Sequence, residues 1–328
     1  MRAVVVTDFH TEPSLTDLPV PEPGPGEVLV KIAAAGVNPF DWKVVEGAMR
    51  DAVHHEFPLV LGSDGAGTVV SAGEPDLTDP RFEPGDRVFG QFMDVKTGRG
   101  SYAEYAITKA AKLARLPDKL DFATGAALPT AGAAAHDFVE GTGAGPGQCL
   151  LVNGASGGVG QAAVQLAAAQ GIRVIATTDP ETAALLRSLG AAETVDYTAG
   201  PTAEQVGEAH PDGIDAIVDL VSGPAQIEAI AGLLKPNGAI VSANGAVDAE
   251  LLASRGLRGS NLYANARPAT LASLADSVQR GQLRFRIDHE APLADAAAAL
   301  ARIRAGESRG KTVLTVEDGT VEDGTAED

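Results

Sequence analysis

The sequence predicts an α/β protein in which a doubly wound parallel-sheet domain is inserted into a β-rich, barrel-like module. Three observations lead there. The first ~120 residues carry strand-like runs cut by Gly and Pro. From about Ala126 to Leu262 strand and helix alternate. The remainder returns to a mixed pattern too short to enclose its own core, so it is expected to complete the first module.

In the first module the runs RAVVV, EVLVKIAAAG, GAGTVVSAG and SYAEYAI read as strands. Pro19–Glu27 and Glu83–Val88 punctuate them as turns. The middle begins with the apolar strand CLLVN and runs into a helix near Val159. Then come strand RVIATT, helix PETAALLRSLG, strands ETVDY and IDAIVDLV, helix PAQIEAIAGLLKPNG and strand AIVSANG. Gly171, Gly190 and Gly238 are placed to stop the three helices. Short links between alternating elements mean a doubly wound, Rossmann-type sheet. In the last part a helix near Ala269–Gln279 leads to strand LRFRI, and an Ala-rich helix over Pro292–Arg304 leads to strand KTVLTV. The expected division is 1–125 plus 263–316 for the β-rich domain and 126–262 for the inserted one. Residues 317–328 (VEDGTVEDGTAED lacks aromatics) form an acidic, disordered tail with six acids and no base.

The formal net charge of −19 argues against a nucleic-acid partner, which needs a basic footprint. No apolar run is long enough to cross a bilayer and no signal-peptide pattern follows Met1, so a cytoplasmic protein with no membrane partner is expected. The single cysteine, Cys149, excludes an internal disulfide and any cysteine-based zinc site; it reads as a small core residue.

The most informative stretch is VNGASGGVGQ, Val152–Gln161, on the strand-to-helix turn. A helix N-terminus offers unpaired N–H groups and about half a unit of positive charge. Gly157 and Gly158 would let a pyrophosphate approach those groups, and Gly160 would let helix and strand pack closely. Ala155 stands where the strict pattern has its first glycine, giving A-x-G-x-x-G through Ser156 and Val159. No Gly-Lys-Ser/Thr follows, so a nucleoside-triphosphate loop is excluded. The implied ligand is a dinucleotide.

NGASGGVGQAAVQLA resembles the signature of the medium-chain dehydrogenase/reductase superfamily, in its zinc-free quinone oxidoreductase (zeta-crystallin-like) branch. The pieces AGVNPFDWK, LGSDGAGTV, GDRVFG, YAEY, AALPTAG, RSLGAAETVDY and RGKTVL match in order, and the likeness covers nearly all of 1–316. It implies a Rossmann domain inserted into a GroES-like catalytic domain, and a homodimer. It also implies NAD(P)H-dependent hydride transfer to a quinone or an α,β-unsaturated carbonyl. A dinucleotide-binding protein with little turnover and an alcohol dehydrogenase are the alternatives.

An acid at the tip of the second Rossmann strand favours NAD(H), a cation NADP(H). The tip reads Thr177-Thr178-Asp179-Pro180-Glu181, with no Lys or Arg beside it in sequence. Thr178 permits a 2′-phosphate, whereas Asp179 and Glu181 would repel one. Glu181 also reads as an acid in a helix's first turn. The resemblance favours NADP(H), and NAD(H) stays open. Cofactor contacts that the resemblance carries over are Thr130, Tyr197, Val221, Asn244 and Lys311. Relatives often place a threonine where this chain has Ala134.

A catalytic zinc needs three protein ligands, usually His or Cys. Zinc-dependent relatives carry a cysteine in the region of Gly36–Asn38 and a His-Glu pair at Ser63 and Asp64. Of the six histidines only His54 and His55 lie near that region, and both read as a polar loop, so no metal site is expected. Without a Lewis acid, a conjugated carbonyl that spreads developing charge is a better acceptor than a simple ketone. By resemblance, Asn38 positions cofactor and substrate, Lys43 polarises the oxygen or relays a proton, and Asp41 orients the two. Phe40, Trp42, Phe92, Met93 and Tyr263 are candidates for pocket walls or ordinary core.

Overall fold

The computed structural model describes residues 1–74 and 81–316; the expected acidic tail lies outside them. The inserted unit is a six-stranded, wholly parallel sheet. Across it the order is Glu193–Asp196, Arg173–Thr178, Cys149–Asn153, Ile214–Asp219, Leu234–Ser242 and Arg258–Asn261. The chain enters at Cys149–Asn153, works outward one way, then returns to work outward the other way. The reversal leaves a crevice beyond the carboxyl ends of Cys149–Asn153 and Ile214–Asp219, where open α/β sheets bind ligands. Leu150, Leu151, Val152, Ile175, Ile217 and Val218 are all buried. Such unbroken apolar runs belong to strands covered on both faces.

The β-rich unit is a seven-stranded sheet organised on the long strand Glu27–Val37. That strand pairs with Asp64–Ala72, with Tyr105–Lys109 and, at its far end, with the last strand Lys311–Thr315. The register pairs Thr312 with Val37, which sets Lys311 beside Asn38 although 273 residues separate them. A small sheet of Arg2–Val6, Ser14–Asp17 and Leu59–Val60 closes one side. Among the described residues no helix is long and apolar enough to cross a membrane.

Several elements depart from the sequence reading. The helix expected to stop at Gly238 covers only Pro224–Ala231, and Leu234–Ser242 is a strand. Pro236 cannot donate within a helix, and the left-handed turn falls on Asn237, at φ 64°, rather than on the glycine. LRFRI is not a strand: the Gln165 side chain takes both backbone groups of Arg284, at 2.9 Å each, and pairing starts only at Ile287. In SYAEYAI the strand begins only at Tyr105, and Ala103 before it makes an isolated bridge to Ala3. The unexpected helix Pro129–Thr142 packs on Gly158–Ala169. Its alanines favour helix, but burial around most of its surface removes the polar face that would have marked the period. The Ala-rich helix is Ala296–Arg304, preceded by a single 3₁₀ turn. Cys149 is part-exposed rather than core, and His55 is buried, edge-on to Phe9.

Candidate active site

A cleft of about 780 Å³ runs along the junction of the two units. Its middle is the turn from Gly154 to Gly160. Gly154 adopts φ 90°, and its N–H is received by Thr177 Oγ1 at 2.8 Å. Thr177 in turn donates to Asn153 Oδ1, so its side chain props the turn from beneath. The helix Gly158–Ala169 starts with Gly157 as its N-cap, and no side chain caps it. The first N–H groups there lack the intrahelical partners that later turns provide.

The glycines of the turn serve different ends. A Cβ on Gly157 would meet only Gly154 O, at 3.9 Å, so its missing side chain opens space to the cleft. A Cβ on Gly158 would lie 2.7 Å from Lys311 Cδ; this glycine accommodates the lysine stem. A Cβ on Gly160 would collide with the backbone of Gly154 and Ala155. Buried Ala155 thus lies against the start of the helix.

At the end of Arg173–Thr178, Asp179 is not the bare acid that the sequence suggests. Its Oδ1 accepts from Thr182 N and Oγ1, at 2.9 and 2.8 Å. Its Oδ2 accepts from Arg309 Nε at 2.8 Å, a cation supplied from 130 residues away. Partial burial works against its charge, but these bonds hold the carboxyl below its usual pKa. Ser156, Thr178 and Thr182 link their hydroxyls beside it. Glu181 is exposed and precedes the helix Ala183–Ser188, so it is not a first-turn acid. Tyr197 and Val221 line the same cleft and are among its more exposed members.

The other end rests on a buried polar cluster. Asn38 is the N-cap of the helix Pro39–Val45 and its N–H is received by Asp41 Oδ2 at 2.8 Å. Its Nδ2 donates to Asp64 Oδ2 at 3.0 Å, and its Oδ1 accepts from Lys311 Nζ at 2.6 Å. Asp64 also receives Thr130 N at 3.0 Å and Thr130 Oγ1 at 2.6 Å. Asp41, wholly buried, accepts from Ser63 N and Oγ and from Tyr102 OH. Burial pushes the Asp41 carboxyl up to about 6 despite those donors. Burial likewise raises Asp64 and Tyr102 and lowers Lys311.

Two expectations change here. Asp41 does not face the cleft and holds Asn38 and Ser63 from behind, with no bond to Lys43. The Asn38 amide, 3% exposed, is held between Asp64 and Lys311. Lys43 Nζ instead reaches across the units to Asn244 Oδ1, at 3.2 Å. Asn244 is anchored by its Nδ2 on Leu220 O. Phe92 is core, and none of Phe40, Trp42, Phe92, Met93 or Tyr263 lines this cleft.

The sequence reading missed Arg309, Thr182 and the group Asn153, Asp219 and Ser222. Asn153 Nδ2 donates to Asp219 Oδ1 and Ser222 Oγ, tying together the ends of the two strands that flank the crevice. Arg309 stands in the RGK run already singled out, but its partner is visible only in the fold.

Residues 24–118 match the alcohol dehydrogenase GroES-like domain family, and residues 189–314 the zinc-binding dehydrogenase family. Over 312 residues the chain is 31% identical to a chloroplastic quinone oxidoreductase of Triphysaria versicolor, covering 91% of this chain and 92% of that protein. The chain belongs to the quinone oxidoreductase-like branch of the medium-chain dehydrogenase/reductase superfamily. As a member of this branch it is an NAD(P)H-dependent oxidoreductase. It is also 31% identical over 325 residues to the 2-methylene-furan-3-one reductase of Solanum lycopersicum, covering 96% and 79% of the two chains. A mycobacterial protein solved in complex with NADPH superposes with a TM-score of 0.83 at 29% identity, covering 96% of this chain and 99% of that one.

The residues present fit a dinucleotide: Gly157 leaves room at the helix N-terminus, and the Lys311 stem lies on the neighbouring Gly158. They do not fit the zinc of the family description. Among the described residues no three His, Cys, Asp or Glu side chains converge, and Asp64 is already engaged by Asn38 and Thr130.

Proposed function

We propose that this oxidoreductase reduces quinones or α,β-unsaturated carbonyls without zinc, using NADPH in preference to NADH. The observation that carries the reading is the shared cleft. One surface joins a helix N-terminus cleared by Gly157 to Asn38 and Lys311, and among the described residues no group of three metal-ligating side chains stands beside them. When bound, the nicotinamide supplies the hydride, so the protein needs no acid of its own for that step.

The chain's residues bind, orient and handle the proton. The N–H groups at Gly158 and beyond receive the diphosphate. Thr130 and Asn38 are both fixed by bonds to Asp64. Lys43, the cation on the helix that Asn38 caps, supplies a hydrogen bond to the acceptor oxygen as charge develops. A conjugated acceptor spreads that charge, so one such donor goes further than it would with a simple ketone. For the adenosine end, Arg309 supports NADPH. It stands at the strand tip beside Asp179, whose carboxylate is taken up by Thr182 on one oxygen and by Arg309 itself on the other, and the strand's last residue is the uncharged Thr178.

The test is NADPH oxidation, followed by absorbance, with a small quinone and a panel of enones. The reading expects turnover with at least one acceptor, unaffected by chelator. Dinucleotide binding without turnover on any acceptor would favour a binding protein, and zinc-dependent alcohol oxidation would overturn the proposal.

A further inference from the structure

The charge of Lys311 is not free to act on a ligand. Its ammonium is buried, 4% exposed, and held by Asn38 Oδ1 and Val37 O. Asn38 turns its other amide atom onto Asp64, so one side chain connects the lysine to the carboxylate. Around Lys311 the charges are Asp64 from the strand Asp64–Ala72, Asp41 from the helix Pro39–Val45, and Asp288 from Ile287–Pro292; Tyr102 faces the pair of acids as a neutral donor. Lys311 thus sits among three carboxylates, of which Asp288 is also paired with Arg302 at 3.5 Å. The lysine stem meanwhile lies on Gly158, the first residue of the helix whose N-terminus faces the cleft.

We infer that Asp64 is a positioning residue which, through Asn38, restrains Lys311 and cancels part of its charge. It thereby limits how tightly the diphosphate is held and lets the spent dinucleotide leave. The inference rests on the reading of the cleft as the NAD(P)H site. A diphosphate approaching Gly157 draws on Lys311 only by competing with Asp64. Because interactions between buried charges are weakly screened, a single carboxylate there alters ligand affinity appreciably. Burial already makes Asp64 and Asp41 easier to protonate than ordinary acids, so lowering the pH weakens the same restraint.

The experiment is a titration of NADH and NADPH into wild type, Asp64→Asn, Lys311→Met and the double variant, with steady-state kinetics on each. Asp64→Asn keeps the size and one acceptor oxygen but removes the charge. It is expected to tighten dinucleotide binding about fivefold and to lower kcat where release limits turnover. In the Lys311→Met background the same change should give no tightening. Damage to packing alone would weaken binding, which is the opposite sign. Should Asp64→Asn not fold, wild type still decides: its affinity for NADH, whose diphosphate does not titrate here, must rise on acidification, because burial makes Asp64 easier to protonate than an ordinary acid. Weaker or unchanged binding by a folded Asp64→Asn, tightening that persists without Lys311, or an affinity for NADH that does not rise on acidification would overturn the inference. Wild type that binds neither dinucleotide would instead overturn the reading of the cleft, and this inference with it.

Discussion

The turn from Gly154 to Gly160 and the floor around Asp64 serve the same cleft but are built differently. The turn works through backbone: seven consecutive residues, four of them glycine, whose missing side chains do the shaping. The floor works through side chains from five separated places, namely Asn38 with Asp41, Ser63 with Asp64, Tyr102, Thr130 and Lys311. A backbone site is local and writes a spacing into the sequence. A side-chain site is written by the fold and leaves only isolated polar residues.

The largest effect should come from breaking the turn itself. Gly160→Val drives a side chain into the backbone of Gly154 and Ala155. A loss on the order of 4 kcal/mol in denaturant unfolding, with dinucleotide binding abolished, is expected. Gly157→Asp separates binding from folding. The space at Gly157 is open, so stability should change little, while the new charge should weaken NADPH affinity by a factor on the order of 100 or more in calorimetry. Equal losses of stability for the two variants would erase the distinction between the two glycines.

Smaller effects probe the ends of the cleft. Arg309→Ala should lower affinity for NADPH roughly tenfold and for NADH little, since only the former carries a 2′-phosphate. Equal losses for both coenzymes would confine Arg309 to its pair with Asp179. Lys43→Ala should lower turnover by a factor on the order of 10 to 100 with dinucleotide affinity within about twofold. Unchanged turnover would remove Lys43 from the chemistry.

The floor has its own signature in pH. Asp41 carries a folded pKa of about 6 against an ordinary value of 3.8, so the folded state binds its proton more readily than the unfolded state. Its stabilising contribution is complete below about pH 4 and is lost as pH rises through about 6. Wild type should therefore gain stability relative to Asp41→Asn as the pH falls from about 6 to about 4, read from paired urea curves. A constant gap between the two proteins would mean that Asp41 does not titrate in the fold.

The same contrast governs what could be read beforehand. The parallel sheet and the glycine turn were legible because apolar runs, glycines and helix starts lie within a few residues of each other. The helix Pro129–Thr142 was not, because its burial hides the period. At the site, Asp179 looked like a bare acid because its partner Arg309 is 130 residues distant. Asp41 looked like a cleft residue because it shares a helix with Lys43, yet it points behind Asn38. Only the register that pairs Thr312 with Val37 reveals why Lys311 meets Asn38.

The most direct test is calorimetric titration of NADPH into the purified wild type and into Gly157→Asp, side by side. One saturable site in wild type that is lost in a folded variant is the expected result. Matching affinities in both proteins, or no association with wild type at all, would contradict a diphosphate seated on the helix that begins at Gly158.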